Sequence, residues 1–218
     1  MKLVGPWFSG YTRRVGITLK LLKLPFEHLP YHAYREAERV RAFSPMVRVP
    51  ALQLDDAQVL IDSSAIVDYL DSLVPLDQRL MPASGPERVR ALQLVGYGCA
   101  CYDKLARYCD ELMLRPEAHR LAHLQTGYRE QMESGFRVLE AAQADPWLLG
   151  ARISQADIMA VVAFQSASVV IPRTFNSASF PRLAALVDQA MQLTAFSSTL
   201  PDLADLQASG LIGADNGV

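Results

Sequence analysis

The sequence predicts an α/β unit followed by an all-α unit: a βαβαββα domain over residues 1–75, a linker over 76–86, and a helical bundle over 87–218. Three observations carry this. Short apolar runs of strand length alternate with helix-favouring stretches as far as Leu73. A cluster of Pro75, Pro82, Ser84, Gly85 and Pro86 then breaks the pattern. Beyond Pro86 strand signals vanish and long proline-free stretches follow.

The elements follow in order. Leu3-Val4 with Trp7-Phe8 reads as a first short strand. Tyr11 to Lys23 carries Val15, Ile17, Leu19, Leu21 and Leu22 with no internal proline, which favours a helix. Phe26 to Tyr31 is a second strand, and the charged stretch from Ala33 to Ala42 a solvated helix. Ala51–Leu54 and Gln58–Ile61 flank Asp55-Asp56-Ala57, a hairpin signal. Ser63 to Leu73 is helical, with Ile66, Val67, Tyr69 and Leu70 on one side. After the linker, Pro86 suits a first helical position, and Glu87 to Leu114 runs as one long helix. Pro116 ends it and starts another that reaches about Ala144. A turn follows at Asp145-Pro146 and Leu148-Leu149-Gly150. Ile158 to Val170 is apolar nearly all round, as a buried central helix is. Pro181 to Leu193 is the last helix, and the tail from Asn216 is expected to fray.

Composition narrows the function. Of 218 residues, 50% are hydrophobic and 20% charged, with a net charge of −2. That near-neutral balance gives no electrostatic footing for nucleic acid. No run of 18 apolar residues is present to span a membrane, and the N-terminal residues do not read as a signal peptide. Three cysteines are too few for a disulfide framework and fit a reducing cytoplasm.

Three motifs stand where strands meet helices. Ser9-Gly10-Tyr11-Thr12-Arg13-Arg14-Val15 opens the first helix. Val49-Pro50 precedes the third strand. Asp62-Ser63-Ser64-Ala65-Ile66 opens the third helix. A helix mouth offers free N–H groups and a positive dipole end, so it favours an anion. Ser, Asp and their neighbours are also the preferred helix caps, so each motif has a plain structural reading as well.

In this order and at these separations the motifs resemble the N-terminal, thioredoxin-like domain of the soluble glutathione transferases. The likeness is closest to the bacterial branch with S-P-[FY]-x-R-[RK]-V. Ser154-Gln155-Ala156-Asp157 in the helical half resembles that family's capping box, so the resemblance covers almost the whole chain. It implies that Ser9 gives its hydroxyl to the glutathione sulfur, with Tyr11 and Thr12 as other hydroxyl donors beside the second-substrate pocket. It implies a cis Val49–Pro50 bond that exposes Val49 to the cysteinyl backbone of glutathione. Arg48 either meets the glycyl carboxylate or is a solvated surface residue. Asp62 pairs with the γ-glutamyl ammonium, and Ser63 offers N–H and hydroxyl to the carboxylate on the same carbon. Gly10 stands where the family usually has Pro, and Asp62 where it has Glu or Gln. The resemblance also implies a homodimer.

The chemistry behind Ser9 is thiolate formation. A free thiol titrates near ~8.5, so about 3% is ionised at neutral pH. Lowering that by ~2 units needs about 2.7 kcal/mol of differential stabilisation, within reach of a charge-assisted hydrogen bond plus a helix terminus. No cysteine occupies this position, which favours a transferase over a redox enzyme.

Other signals are weaker. His119 and His123 are spaced i, i+4 but lack the Glu of zinc hydrolases, so no metal is expected. Cys99-Ala100-Cys101 lacks metal-ligand spacing. The acidic D-G-x-x-D of the bacterial relatives is absent here, and Tyr97, Cys101 and Tyr102 either line an apolar second-substrate pocket or pack in the core. The expected function is attack of activated glutathione on a small, mostly apolar electrophile. The alternatives are a non-catalytic binding or regulatory protein of the same fold, and a glutathione-dependent peroxidase or reductase. Retention of all three motifs favours the enzyme.

Overall fold

The computed structural model describes residues 1–142, 146–202, 204 and 206. The chain forms two compact units. Met1–Ala83 is joined by Gln192–Asp202 in the first, and Ser84–Met191 forms the body of the second. The sequence predicts that residues 87–218 all belong to the helical half. The return of Gln192–Asp202 to the first unit corrects that assignment. The short helix α8 (Thr194–Ser197) packs on α1 (Gly10–Leu21) there, with Phe196 fully buried.

The first unit is a four-stranded mixed sheet of order β2-β1-β3-β4. β1 (Lys2–Val4) pairs parallel with β2 (Glu27–Leu29) and antiparallel with β3 (Ala51–Gln53), which pairs antiparallel with β4 (Val59–Leu60). With α1, α2 (Ala37–Arg41) and α3 (Ser63–Ser72), this is the thioredoxin-like βαβαββα order. Trp7 and Phe8 do not extend β1. Gly5 takes φ +131 and Pro6 has no N–H to give a ladder, so the strand ends at Val4 and the chain turns, Ser9 N–H donating to the Pro6 carbonyl at 3.0 Å. α2 is also shorter than expected. Its only buried residue is Val40, and Glu36 spends its carboxylate on the His32 N–H (3.1 Å) and Arg39 (2.8 Å), bracing a turn where a helix was expected.

The linker is held within the first unit. The buried Asp71 carboxylate accepts from the Leu80 and Met81 N–H groups at 3.0 and 2.8 Å, so the unit continues to Ala83.

The second unit is helical: α4 (Gly85–Met113), α5 (Ala122–Ala141), α6 (Gln155–Val170) and α7 (Pro181–Met191). Pro86 lies in the first turn of α4, one residue inside the helix start. A short 3-10 turn (Glu117–His119) separates α4 from α5. The expected helix end near Ala144, the Asp145 part of the turn and the tail from Asn216 lie outside the described residues. α6 is buried on nearly every face, as its composition requires. Its Ser154–Asp157 capping box forms, and Asp157 also accepts from the Leu148 N–H at 2.7 Å. Phe136, Phe164, Phe175 and Phe180 stack and edge together with ring centroids 5.3–5.9 Å apart. Among the described residues no helix is long and apolar enough to cross a membrane.

Candidate functional site

Ser9 is the N-cap of α1. Its Oγ accepts from the Thr12 N–H at 3.3 Å and its carbonyl accepts from the Arg13 N–H at 2.9 Å. The side chain is half-buried. Capping uses only an acceptor lone pair of the hydroxyl, so its own proton remains available to an anion. Cap and thiolate donor are compatible at this position. Tyr11 is half-buried in the same first turn. Thr12 differs from expectation: it is fully buried, and its hydroxyl has no hydrogen-bond partner. Thr12 supports Ser9 through its backbone N–H, while its hydroxyl lies against Gly5, packed away from solvent.

The Val49–Pro50 peptide is cis, as the resemblance implied; a second cis bond joins Ile61 to Asp62. Pro50 is buried and leads directly into β3. Val49 sits against the β1–α1 turn: a Cβ on Gly5 would fall 2.9 Å from that of Val49 and closer still to the Thr12 hydroxyl. Gly5 is therefore required here by contact as well as by its φ.

Asp62 caps α3, its Oδ1 accepting from the Ser64 N–H at 3.0 Å. Its Oδ2 accepts from Arg48 Nη2 at 3.1 Å. Ser63 is 2% exposed and its Oγ lies 3.5 Å from Asp62 Oδ1. From below, the buried Arg14 donates through Nη1 to Ser63 Oγ at 3.2 Å and Ser64 Oγ at 3.3 Å. The three sequence motifs are thus one connected cluster. Ser9 binds Thr12, Thr12 abuts Gly5 beside Val49, Arg48 reaches Asp62, and Ser63 returns to α1 through Arg14.

A support beneath the Ser9 turn was not foreseen. The Trp7 and His28 rings stack at 3.7 Å, and His28 Nε2–H donates to the Gly5 carbonyl at 2.8 Å. Burial lowers the His28 pKa below its ordinary value. The Gly5 bond opposes that shift and Lys20 adds to it. Trp7 in turn covers Gly16 of α1, where any Cβ would collide with the indole.

In the helical unit, Tyr97 is 36% exposed and Tyr102 half-buried on α4. Cys101 does not fit the role of a pocket wall. It is 1% exposed, its thiol donates to the Met132 carbonyl at 3.4 Å, and it fills the space that Gly135 of α5 leaves. Burial pushes its thiol up to about 12, so it stays protonated. An open cleft of about 390 Å3 lies at the junction of α4 and α5, lined by Leu114, Pro116, Leu124 and Tyr128 together with the charged Arg107, Asp110, Glu111 and Arg115. His119 sits in the 3-10 turn and His123 in α5, so they do not share one helix.

The family model for the glutathione S-transferase N-terminal domain matches residues 3–79, and that for the C-terminal domain matches residues 116–189. A maleylpyruvate isomerase of a Ralstonia species is 40% identical over 104 residues, 45% of this chain and 48% of that protein, so the match spans about half of its length. The maleylacetoacetate isomerase of Pseudomonas aeruginosa is 29% identical over 210 residues, 92% of this chain and 96% of that one. Among solved structures, a glutathione S-transferase from Methylobacterium radiotolerans in complex with glutathione sulfonate superposes with a TM-score of 0.85. It is 27% identical and covers 92% of this chain and 94% of its own.

Proposed function

Because the chain belongs to the glutathione S-transferase family, we propose that it binds glutathione along the Ser9–Val49–Asp62–Ser63 edge and holds its thiolate for attack on a small electrophile. The observation that carries this reading is the convergence of the three motifs around two helix N-termini. Both ends of α1 and α3 that favour anions belong to one cluster, and glutathione carries an anion for each: the developing thiolate and the γ-glutamyl carboxylate.

In this mechanism the Ser9 O–H donates to sulfur while Thr12 N–H holds its oxygen in place. The Ser63 N–H and hydroxyl take the γ-glutamyl carboxylate, and Asp62 takes the ammonium. Val49 pairs with the cysteinyl backbone and Arg48 meets the glycyl carboxylate. The thiolate attacks an electrophilic carbon, the leaving group departs with its electron pair, and the product is a thioether of glutathione. Tyr11, in the first turn of α1, is the candidate for contact with the second, mostly apolar substrate. The protein works in the reducing cytoplasm as a homodimer; the thiols of Cys99, Cys101 and Cys109, none of them in a disulfide, fit that compartment.

The names of the Ralstonia and Pseudomonas relatives favour a second reading, glutathione-dependent isomerisation of a maleyl-type cis double bond. The first step is the same. The thiolate adds to the double bond, the resulting single bond rotates, and elimination returns both glutathione and the trans product.

Binding is tested by melting the protein with and without glutathione; a ligand at about 100 times its Kd adds about 2.7 kcal/mol. No shift at millimolar glutathione contradicts the reading. Free thiol then separates the two chemistries. It falls mole for mole with product in a transfer to an aryl halide and stays constant during isomerisation of maleylpyruvate.

A further inference from the structure

Arg14 lies within α1, is 2% exposed, and bridges to the first turn of α3. Both acceptors are hydroxyls, Ser63 Oγ at 3.2 Å and Ser64 Oγ at 3.3 Å. A hydroxyl that accepts from a guanidinium has a lone pair committed on that side, so its own proton turns away from the guanidinium. For Ser63 that proton is on the Asp62 side, where Asp62 Oδ1 lies at 3.5 Å, the limit of a hydrogen bond. A ligand carboxylate at the α3 N-terminus recruits it at little cost. Arg14 also ties this turn to α1, the helix whose mouth carries Ser9 five residues earlier.

On the reading that glutathione binds here, we infer that Arg14 is a positioning residue for the γ-glutamyl carboxylate. It holds the Ser63 hydroxyl as a donor turned to the Asp62 side, at the α3 N-terminus, and sets the spacing between that donor and Ser9. Arginine suits the task because it stays charged at every working pH and presents donors in a fixed plane. It touches no substrate itself, so its effect on that carboxylate passes through the Ser63 hydroxyl.

The test is a double-mutant cycle on glutathione affinity, measured by calorimetry on the full chain. Arg14→Met is expected to weaken binding about 10-fold and Ser63→Ala by a similar factor. The double variant is expected to be no more than about 2-fold weaker than Ser63→Ala alone, because the donor that Arg14 orients toward the carboxylate is already gone. Arg14→Lys should recover much of the loss, since an ammonium can also donate to both hydroxyls. The bound thiol should titrate as in the wild type, Ser9 being intact. Wild-type affinity in Arg14→Met, or factors that simply multiply in the double variant, overturns the inference. If Arg14→Met melts below the working temperature, Arg14→Lys goes through the same cycle. There a loss of about 3-fold that vanishes in the Ser63→Ala background supports the inference, and one that persists overturns it. A wild-type protein that does not bind glutathione refutes the proposed function itself, and this inference with it.

Discussion

Arg48 and Asp62 form an ion pair, Nη2 to Oδ2 at 3.1 Å, across the turn that opens the third helix. Asp62 was expected to meet the ammonium of a tripeptide and Arg48 either its glycyl carboxylate or solvent, and the two hold each other. Each side chain is 53% exposed. Such pairs contribute about 0.2–1 kcal/mol, so a zwitterionic ligand can exchange this pair for two new ones at low cost.

Asp62→Ala therefore removes the ammonium partner and is expected to weaken glutathione binding about 10-fold. Arg48→Ala has two opposed effects, loss of the glycyl contact and release of Asp62, and is expected to change affinity less than about 3-fold. Calorimetric titration of both variants checks this. An unchanged affinity in Asp62→Ala means the ammonium lies elsewhere.

Thr12→Val removes a buried hydroxyl that has no partner. Leaving such a group unpaired costs about 1–3 kcal/mol. The variant is expected to be more stable by about 1 kcal/mol in urea denaturation, with the bound thiol titrating as before. A rise in the thiol pKa would instead assign thiolate stabilisation to Thr12.

Gly16→Ala places a methyl group into the Trp7 ring, itself stacked on His28. Overpacking of this kind costs about 1–3 kcal/mol. The Ser9 turn moves with Trp7, so turnover should fall along with the melting temperature. Trp7→Phe in the same chain makes room and should restore part of the stability. No recovery would show that the clash is elsewhere.

His28 gives the first unit an acid sensitivity. Its folded pKa is lowered, burial being the first cause, whereas the unfolded chain titrates near ~6.5. The unfolded state therefore binds the proton first. Stability is full above that value and is lost as pH falls toward the lower folded value. His28→Phe keeps a ring on Trp7 but abolishes the titration. Urea midpoints at pH 7.5 and 5.0 should diverge more for the wild type than for His28→Phe. Equal slopes would remove His28 as the cause.

Much of the scaffold was legible because its signals are local. The apolar spacing of α1 and α3, the proline-free length of α4 beyond Pro86 and the all-round apolar face of α6 each specify an element without reference to the rest. The misreadings share a different origin. Trp7-Phe8 has strand composition, but Gly5 and Pro6 end the ladder first. The Ala33–Ala42 stretch favours a helix, but it has one buried anchor, Val40, and Glu36 is drawn to His32. Residues 192–202 look helical like their neighbours, and only packing on α1 assigns them to the first unit.

The same division holds in the site. Ser9 and Asp62-Ser63 were legible as helix mouths and Val49-Pro50 as a cis peptide, because those local structures need particular residue types. The Arg48–Asp62 and Arg14–Ser63 bridges were not, since each joins residues 14 and 49 positions apart through side chains that sequence spacing does not relate. Cys101 has the composition of a pocket wall or of a core residue alike, and only its contact with Gly135 decides between them.

The central claim is that Ser9 holds the glutathione thiolate, and its most direct measurement is the thiolate absorbance of the glutathione complex against pH. The bound thiol of the wild type is expected to titrate about 2 units below the free value of ~8.5. Ser9→Ala loses one hydrogen bond to an anion, roughly 1.5–3 kcal/mol, and should raise that pKa by about 1–2 units. Glutathione affinity should fall much less. Identical titrations of wild type and Ser9→Ala would contradict the account, leaving Ser9 as a helix cap alone.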